Sequence, residues 1–350
     1  MKTLKLAACA VVVASSASAE TLNLSSVFSS FVALGDSLTD AGRLNDTPFE
    51  NGPPSLDGRF SNGITFAEDV AQDFAVDVNL AIGGATALDA NENPLPPQFG
   101  TFGGQVATLD NLASDPNFRT ALGARPLFSV LFGSNDILQN VGLPDAGTPG
   151  LGNIAPGIGA LAADAVEDNI RAIRSIDAEF NDFVVINLPD IALTPLFSNP
   201  VFGAGGLASI ASSETTLFNN QLADNIDDLR DDGFNIIEFD LDTLFGELLD
   251  EAVANGIDIN NPCTFSFSNP DPSQTCVFAP GEPDNIDLAL ADDFFFVDSI
   301  HPNRVAQGAA ADAFRATVAS SLAPVPLPAG LPLLLAGLGA FGVLRKRRTA

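Results

Sequence analysis

Apolar residues along the chain fall into two kinds of run. Short, nearly continuous ones occupy residues 28–34, 76–82, 127–132, 183–188 and 234–239. Continuous apolar character over that length suits strands buried on both faces of a parallel sheet, whereas half-solvated strands alternate. Between these runs, 65–74, 105–112, 160–180 and 214–229 carry apolar residues three and four positions apart, and 304–322 closes the series with a final helix. That spacing turns one face of a helix toward a core. Strands alternating with helices predict one doubly wound α/β domain. Pro- and Gly-rich stretches at 92–104 and 142–159 read as long surface loops near its site, and there is no internal repeat.

The two ends stand apart from this pattern. Lys2 and Lys5, the apolar run 6–14 and Ser15-Ser16-Ala17-Ser18-Ala19 form a charged head, a short hydrophobic stretch and an A-x-A site. This predicts a signal peptide over 1–19 and export. Cys9 precedes most of that apolar run, which argues against a lipoprotein cleavage box. At the other end, Pro324-Val325-Pro326-Leu327-Pro328 leads into an apolar stretch ending at Leu344, then Arg345-Lys346-Arg347-Arg348. Physically this is a stop-transfer tail of marginal spanning length with a cytoplasmic basic end. It also resembles the VPLPA-type sorting signals of Gram-negative bacteria. That resemblance implies removal of 324–350 by an exosortase-like protease and delivery to the cell surface or matrix; the alternative is a permanent anchor. The expected division is therefore 1–19, 20–323 and 324–350.

Composition sharpens the picture. The chain has 350 residues, 46% of them apolar, with 27 Phe and neither Trp nor Tyr, enough to build a core and to exclude wholesale disorder. Its 44 acidic residues against 15 basic ones give a net charge of −29. Nothing here neutralises a phosphate backbone, so a nucleic-acid partner is excluded. Between residues 20 and 323 all the acids remain, against nine Arg and no Lys. We read this as a solvated acidic exterior. Asp89-Ala90-Asn91-Glu92-Asn93 opens like a calcium loop, but Pro94 and Gly100 stand where that loop needs Gly and Glu. With the signal peptide removed, Cys263 and Cys276 are the only cysteines. Their polar, Pro-rich setting and an oxidising export route predict a disulfide between them.

Candidate chemistry gathers after the strands. The first run ends in Leu34-Gly35-Asp36-Ser37-Leu38, which puts Ser37 at a strand's carboxyl end, where α/β folds bind ligands. No G-x-S-x-G elbow occurs, which argues against an ordinary α/β-hydrolase. His301 is the only histidine, set in Asp298-Ser299-Ile300-His301-Pro302. It is the natural base for a serine, and Asp298 is placed to turn back and fix its tautomer. Gly83-Gly84 follows the second strand and Gly133-Ser134-Asn135-Asp136 the third. A Gly lets its backbone N–H approach an oxyanion closely and an Asn amide supplies another donor, so Ser37, Gly84 and Asn135 collect just after three successive strands on one edge of the sheet. Two further Gly patterns, at 337–342 inside the apolar tail and at 157–162 after a Pro/Gly loop, lack the strand that a dinucleotide fingerprint requires.

These residues together resemble the GDSL, or SGNH, esterases and lipases, whose four blocks correspond to Gly35-Asp36-Ser37-Leu38, the Gly of 79–84, Gly133-x-Asn135-Asp136 and Asp298-x-x-His301. Gly58-Arg59-Phe60-Ser61-Asn62-Gly63, Asn187-Leu188-Pro189-Asp190 and Phe218-Asn219-Asn220 resemble further stretches of longer members. The resemblance implies a three-layer α/β/α sandwich on a five-stranded parallel sheet. It gives Ser37 the role of nucleophile, His301 that of base and acid, and Asp298 that of orienting residue, with Ser37, Gly84 and Asn135 as the oxyanion hole. Neither metal nor cofactor is implied. Ester substrates, lipid or acylated carbohydrate, are implied. An acyltransferase of the same fold and a non-catalytic surface or matrix protein are the rival readings. Ser299 and Asn303 depart from the commoner Gly and Thr, both outside the four blocks.

Overall fold

The computed structural model describes residues 23–43, 58–89, 100–141, 156–200, 205–263 and 292–322. Five strands, β1 (Ser30–Gly35), β2 (Asp77–Asn79), β3 (Pro126–Leu131), β4 (Asp182–Ile186) and β5 (Asn235–Phe239), pair in parallel in the order β2-β1-β3-β4-β5. Every residue of β1, β3 and β4 is buried, which explains their nearly continuous apolar runs. The edge strand β2 is shorter than its apolar run, yet Leu80 and Ile82 still donate to the Ala33 and Gly35 carbonyls of β1. The second run therefore carries an extended loop onward from the sheet edge.

The described helices are α1 (Phe66–Ala71), α2 (Phe102–Ala113), α3 (Pro116–Leu122), α4 (Ser134–Val141), α5 (Ile158–Ile176), α6 (Pro195–Ser198), α7 (Ala208–Asp231), α8 (Leu241–Ala254) and α9 (Arg304–Leu322). Helices α1 and α9 pack together, while α2, α5 and α7 form a separate group. Phe31 of β1 and Phe239 of β5 meet Phe314 of α9 edge-on, with ring centroids 6.0 and 5.8 Å apart. This is the three-layer α/β/α sandwich expected from the motifs.

Four helices, α3, α4, α6 and α8, go beyond the helical pattern read from the sequence. Three of them have only one or two turns, too few to display a period, and are set by local signals instead. Asp115 caps α3 with Pro116 at its first position, and Pro195 opens α6. Helix α8 does carry a legible apolar stripe. The expected loops also shrink from their C-terminal ends. Thr101 caps α2, which takes in Gly103 and Gly104, and α5 begins at Ile158. The rest of 92–104 and 142–159 lies outside the described residues, Gly100, Thr101 and residues 156–157 excepted. Gly157 and Gly159 have packing roles. Their N–H groups donate to the two carboxylate oxygens of Glu214, each at 3.0 Å, and a Cβ on Gly159 would collide with the Glu214 carbonyl. Helices α5 and α7 approach closely because a glycine stands there.

Candidate active site

Strand β1 delivers its last residue, Gly35, to the top of the sheet, and the chain turns at once. Thr39 and Asp40 donate to the Asp36 carbonyl at 3.1 and 2.9 Å, so Ser37 sits on a tight turn above β1. The segment before α9 comes back over this point. Asp298 Oδ1 accepts from the backbone N–H groups of Ile300 and His301 at 2.8 and 2.6 Å. Those two bonds fold Asp298-x-x-His301 into a closed loop and aim the other carboxylate oxygen at the ring. Oδ2 lies 2.6 Å from His301 Nδ1, and His301 Nε2 lies 2.7 Å from Ser37 Oγ. All three side chains are buried. The structure brings the three expected residues together in the order Ser37, His301, Asp298.

The other two candidates lie on neighbouring turns. The Asn135 amide, at the start of α4, donates to the Ala85 carbonyl at 2.9 Å while Asn135 also lines the cleft beside Ser37. Gly84 immediately precedes Ala85 and adopts φ +81°, a conformation that favours glycine. Its neighbour Gly83 is committed elsewhere, donating to Asp40 Oδ2 at 2.7 Å under the ring of Phe60.

Several site residues carry no assigned role in the sequence reading, although Asp136, Phe60 and Asn62 stand inside its blocks. Asp40 accepts from Gly42, Arg43 and Gly83, tying the nucleophile turn to the loop after β2. Asp136 accepts from Ala87 and Leu88 at 2.7 and 3.0 Å, tying that same loop to α4. Phe60 packs on the imidazole with ring centroids 4.9 Å apart, and Asn62 accepts from the N–H of Arg304. The available signal was the acidic residue in the nucleophile turn and the whole 58–63 stretch. The blocks at 187–190 and 218–220 are scaffold. Asn219 bonds both the N–H and the carbonyl of Leu188, and Asn187 bonds both Asp240 and Asp242.

Two buried carboxyls titrate far from their ordinary range. Burial pushes Asp36 up to about 6, against the Leu38 N–H and the nearby His301 that pull it down. Burial pushes Asp136 up to about 7, against the N–H groups of Ala87 and Leu88 and with the neighbouring Asp36 adding to the rise. A carboxyl that holds its proton more tightly folded than unfolded favours the fold at low pH. That contribution is lost as pH rises through the folded value. Relief of acidic self-repulsion acts in the same direction. Acids such as Asp177, held low by Arg119, oppose this only below about pH 4. The melting temperature should therefore climb as pH falls from 8 to 5, then drop below about pH 4. Calorimetry at constant ionic strength checks this; a temperature that is flat or rises from pH 5 to 8 contradicts it.

A cleft open to solvent extends from Ser37 and His301 between the carboxyl ends of the strands and helices α8 and α9. The arginines supply no basic surface around it. Arg59 pairs with Glu68, Arg125 with Asp182, Arg304 with Asp292, and Arg315 with Asp69 and Asp73. Among the described residues, no group of His, Cys, Asp and Glu is arranged to hold a metal ion. None of the described helices is long and apolar enough to cross a membrane. Residues 1–19 and 324–350 lie outside the described residues. Cys263 is disulfide-bonded; Cys276, its expected partner, also lies outside them.

The family model for GDSL-like lipase/acylhydrolase matches residues 31–314. A phosphatidylcholine-sterol acyltransferase of Aeromonas hydrophila is 25% identical over 242 residues, covering 67% of this chain and 65% of that protein. A GDSL esterase/lipase of Arabidopsis thaliana is 30% identical over 209 residues, covering 47% and 54%. The aligned regions thus span less than two thirds of either relative. A solved member of the lipolytic G-D-S-L family from Veillonella parvula superposes with a TM-score of 0.38 at 13% identity, covering 84% of this chain and 99% of that one.

Proposed function

Because the chain belongs to the family of GDSL-like lipases and acylhydrolases, we propose that it is a serine esterase that cleaves carboxylic esters through Ser37, His301 and Asp298. The observation that carries this reading is the unbroken relay of two short hydrogen bonds, Asp298 Oδ2 to His301 Nδ1 and His301 Nε2 to Ser37 Oγ. Ser37 Oγ attacks the ester carbonyl while Nε2 takes its proton. The carbonyl oxygen becomes an oxyanion, held by the N–H groups of Ser37 and Gly84 and the Asn135 amide. His301 then protonates the departing alcohol, leaving an acyl-Ser37 ester. Water, deprotonated by the same nitrogen, attacks that ester and releases the acid. Asp298 keeps its charge throughout and stabilises the imidazolium.

The acyltransferase named among the relatives supports a second reading, in which an alcohol replaces water in the second step. Both are tested by following a nitrophenyl ester with and without an acceptor alcohol. Free acid as sole product supports the esterase. A new ester at the expense of acid supports transfer. No turnover of any ester leaves the non-catalytic surface protein.

Export belongs to the same proposal: a catalytic domain over 20–323, a signal peptide over 1–19, and a tail over 324–350 that a sorting protease removes at the cell envelope. The support is the order of parts at each end of the sequence. Intact mass of protein from its native host should lack both ends and rise by two hydrogens on reduction as Cys263–Cys276 opens. A mass retaining 331–350 contradicts sorting and leaves a tethered enzyme. A mass unchanged by reduction contradicts the disulfide.

A further inference from the structure

The floor of the cleft is one row of the sheet. Gly35 pairs with Leu131, the pairing of Val130 with Val185 brings Leu131 beside Ile186, and Ile186 pairs with Phe239. Leu131, Ile186 and Phe239 all line the cleft. Ser37 stands at the Gly35 end of this row. The row crosses three strand spacings, about 14 Å. Its far wall is the face of α8 that carries Leu241, Phe245 and Leu248, at the i, i+4, i+7 spacing of one helix stripe. On α9 the wall is Ala306 and Ala310, one turn apart, whose small side chains leave room for an occupant.

The polar lining groups sort by position. Asp36, Ser37, Ser134, Asn135 and His301 belong to the catalytic end. Away from it, Gln307 already accepts from the Phe66 N–H at 2.8 Å, and the Thr194 hydroxyl already donates to the Ile191 carbonyl at 2.8 Å. A sugar placed there would lose water and meet only the Gln307 NH₂ and the Thr194 oxygen as side-chain partners for its many hydroxyls, at a cost that polar burial makes large. An acetyl group would leave most of the apolar wall uncovered. A hydrocarbon chain satisfies both conditions.

Resting on the esterase reading above, we propose that this cleft is an acyl slot selecting unbranched fatty acyl esters of about ten to twelve carbons. An extended hydrocarbon advances about 1.25 Å per C–C bond, so about 14 Å accommodates about eleven bonds, or twelve carbons. The carbonyl lies at Ser37 and the methyl end reaches the α8 face. The alcohol leaves on the opposite, solvent side. The acyl group, rather than the alcohol, is thus the recognised part of the substrate.

The test is kcat/KM of the purified protein on nitrophenyl esters from acetyl to hexadecanoyl. From acetyl to decanoyl it should rise at least about a hundredfold, because each buried methylene contributes favourably, and it should fall beyond dodecanoyl. Ala310→Leu and Leu248→Trp both narrow the far part of the slot, and Leu248, being only half-buried, tolerates enlargement more readily. Each should lower the decanoyl-to-acetyl ratio at least about tenfold. A flat or acetyl-favouring profile in an active enzyme overturns the slot and leaves the esterase intact. A rising profile that neither variant alters overturns its placement between α8 and α9. Absence of turnover on every ester overturns both readings.

Discussion

Replacing Ser37 by Ala should lower kcat by about 10⁴-fold or more with the melting temperature almost unchanged. The hydroxyl is the only atom lost, and its bond partner in the structure is a histidine nitrogen. What remains is the small acceleration that oxyanion donors and binding provide to attack by water. His301→Ala should cost as much in kcat but differ in stability. It strips Asp298 Oδ2 of its partner inside a buried site, a loss of about 1–3 kcal/mol. The double variant should be scarcely slower than either single one, since the residues act as a unit. Steady-state kinetics with calorimetry checks all three. A single variant retaining more than about a tenth of the wild-type rate contradicts the assignment.

The second large effect is expected for Asp298→Asn, about 10⁴-fold in kcat. The reason lies in how the carboxylate is held. Oδ1 accepts two backbone N–H groups, so an asparagine must put its carbonyl oxygen there and its NH₂ toward Nδ1. A donor facing Nδ1 forces the imidazole to carry its proton on Nε2, the nitrogen that has to take the proton from Ser37. The ring stays in place but becomes useless as a base. KM should change little and the fold should survive, because both loop hydrogen bonds persist. An Asn variant with near-normal kcat would mean that Asp298 only shapes the loop.

How much of this was legible depends on the distance over which each feature is encoded. Strands β1, β3 and β4 were readable because burial on both faces leaves few polar positions in each run, such as Ser30 and Ser129. Strand β2 was overextended because residues 80–82 are apolar and still bonded to β1, yet serve as the loop that positions Gly84. Helix α8 was overlooked although Leu241, Phe245, Leu248 and Leu249 mark its stripe, and with it went the far wall of the cleft. Ser37, Asp298 and His301 stood out chemically, the last because no other histidine competes with it. Asp40, Asp136 and Phe60 did not. Their roles are to accept N–H groups from, or pack against, segments 43 to 241 positions away, and a motif that contains a residue does not say which distant segment it will meet.

Covalent capture of the nucleophile tests the central claim most directly. An organophosphonate ester mixed with the purified protein should inactivate it at one equivalent, and peptide mass mapping should place the phosphonyl group on Ser37. The His301→Ala variant should label at a small fraction of that rate. Ester hydrolysis that persists after exhaustive treatment, or a label on any residue other than Ser37, would contradict the account.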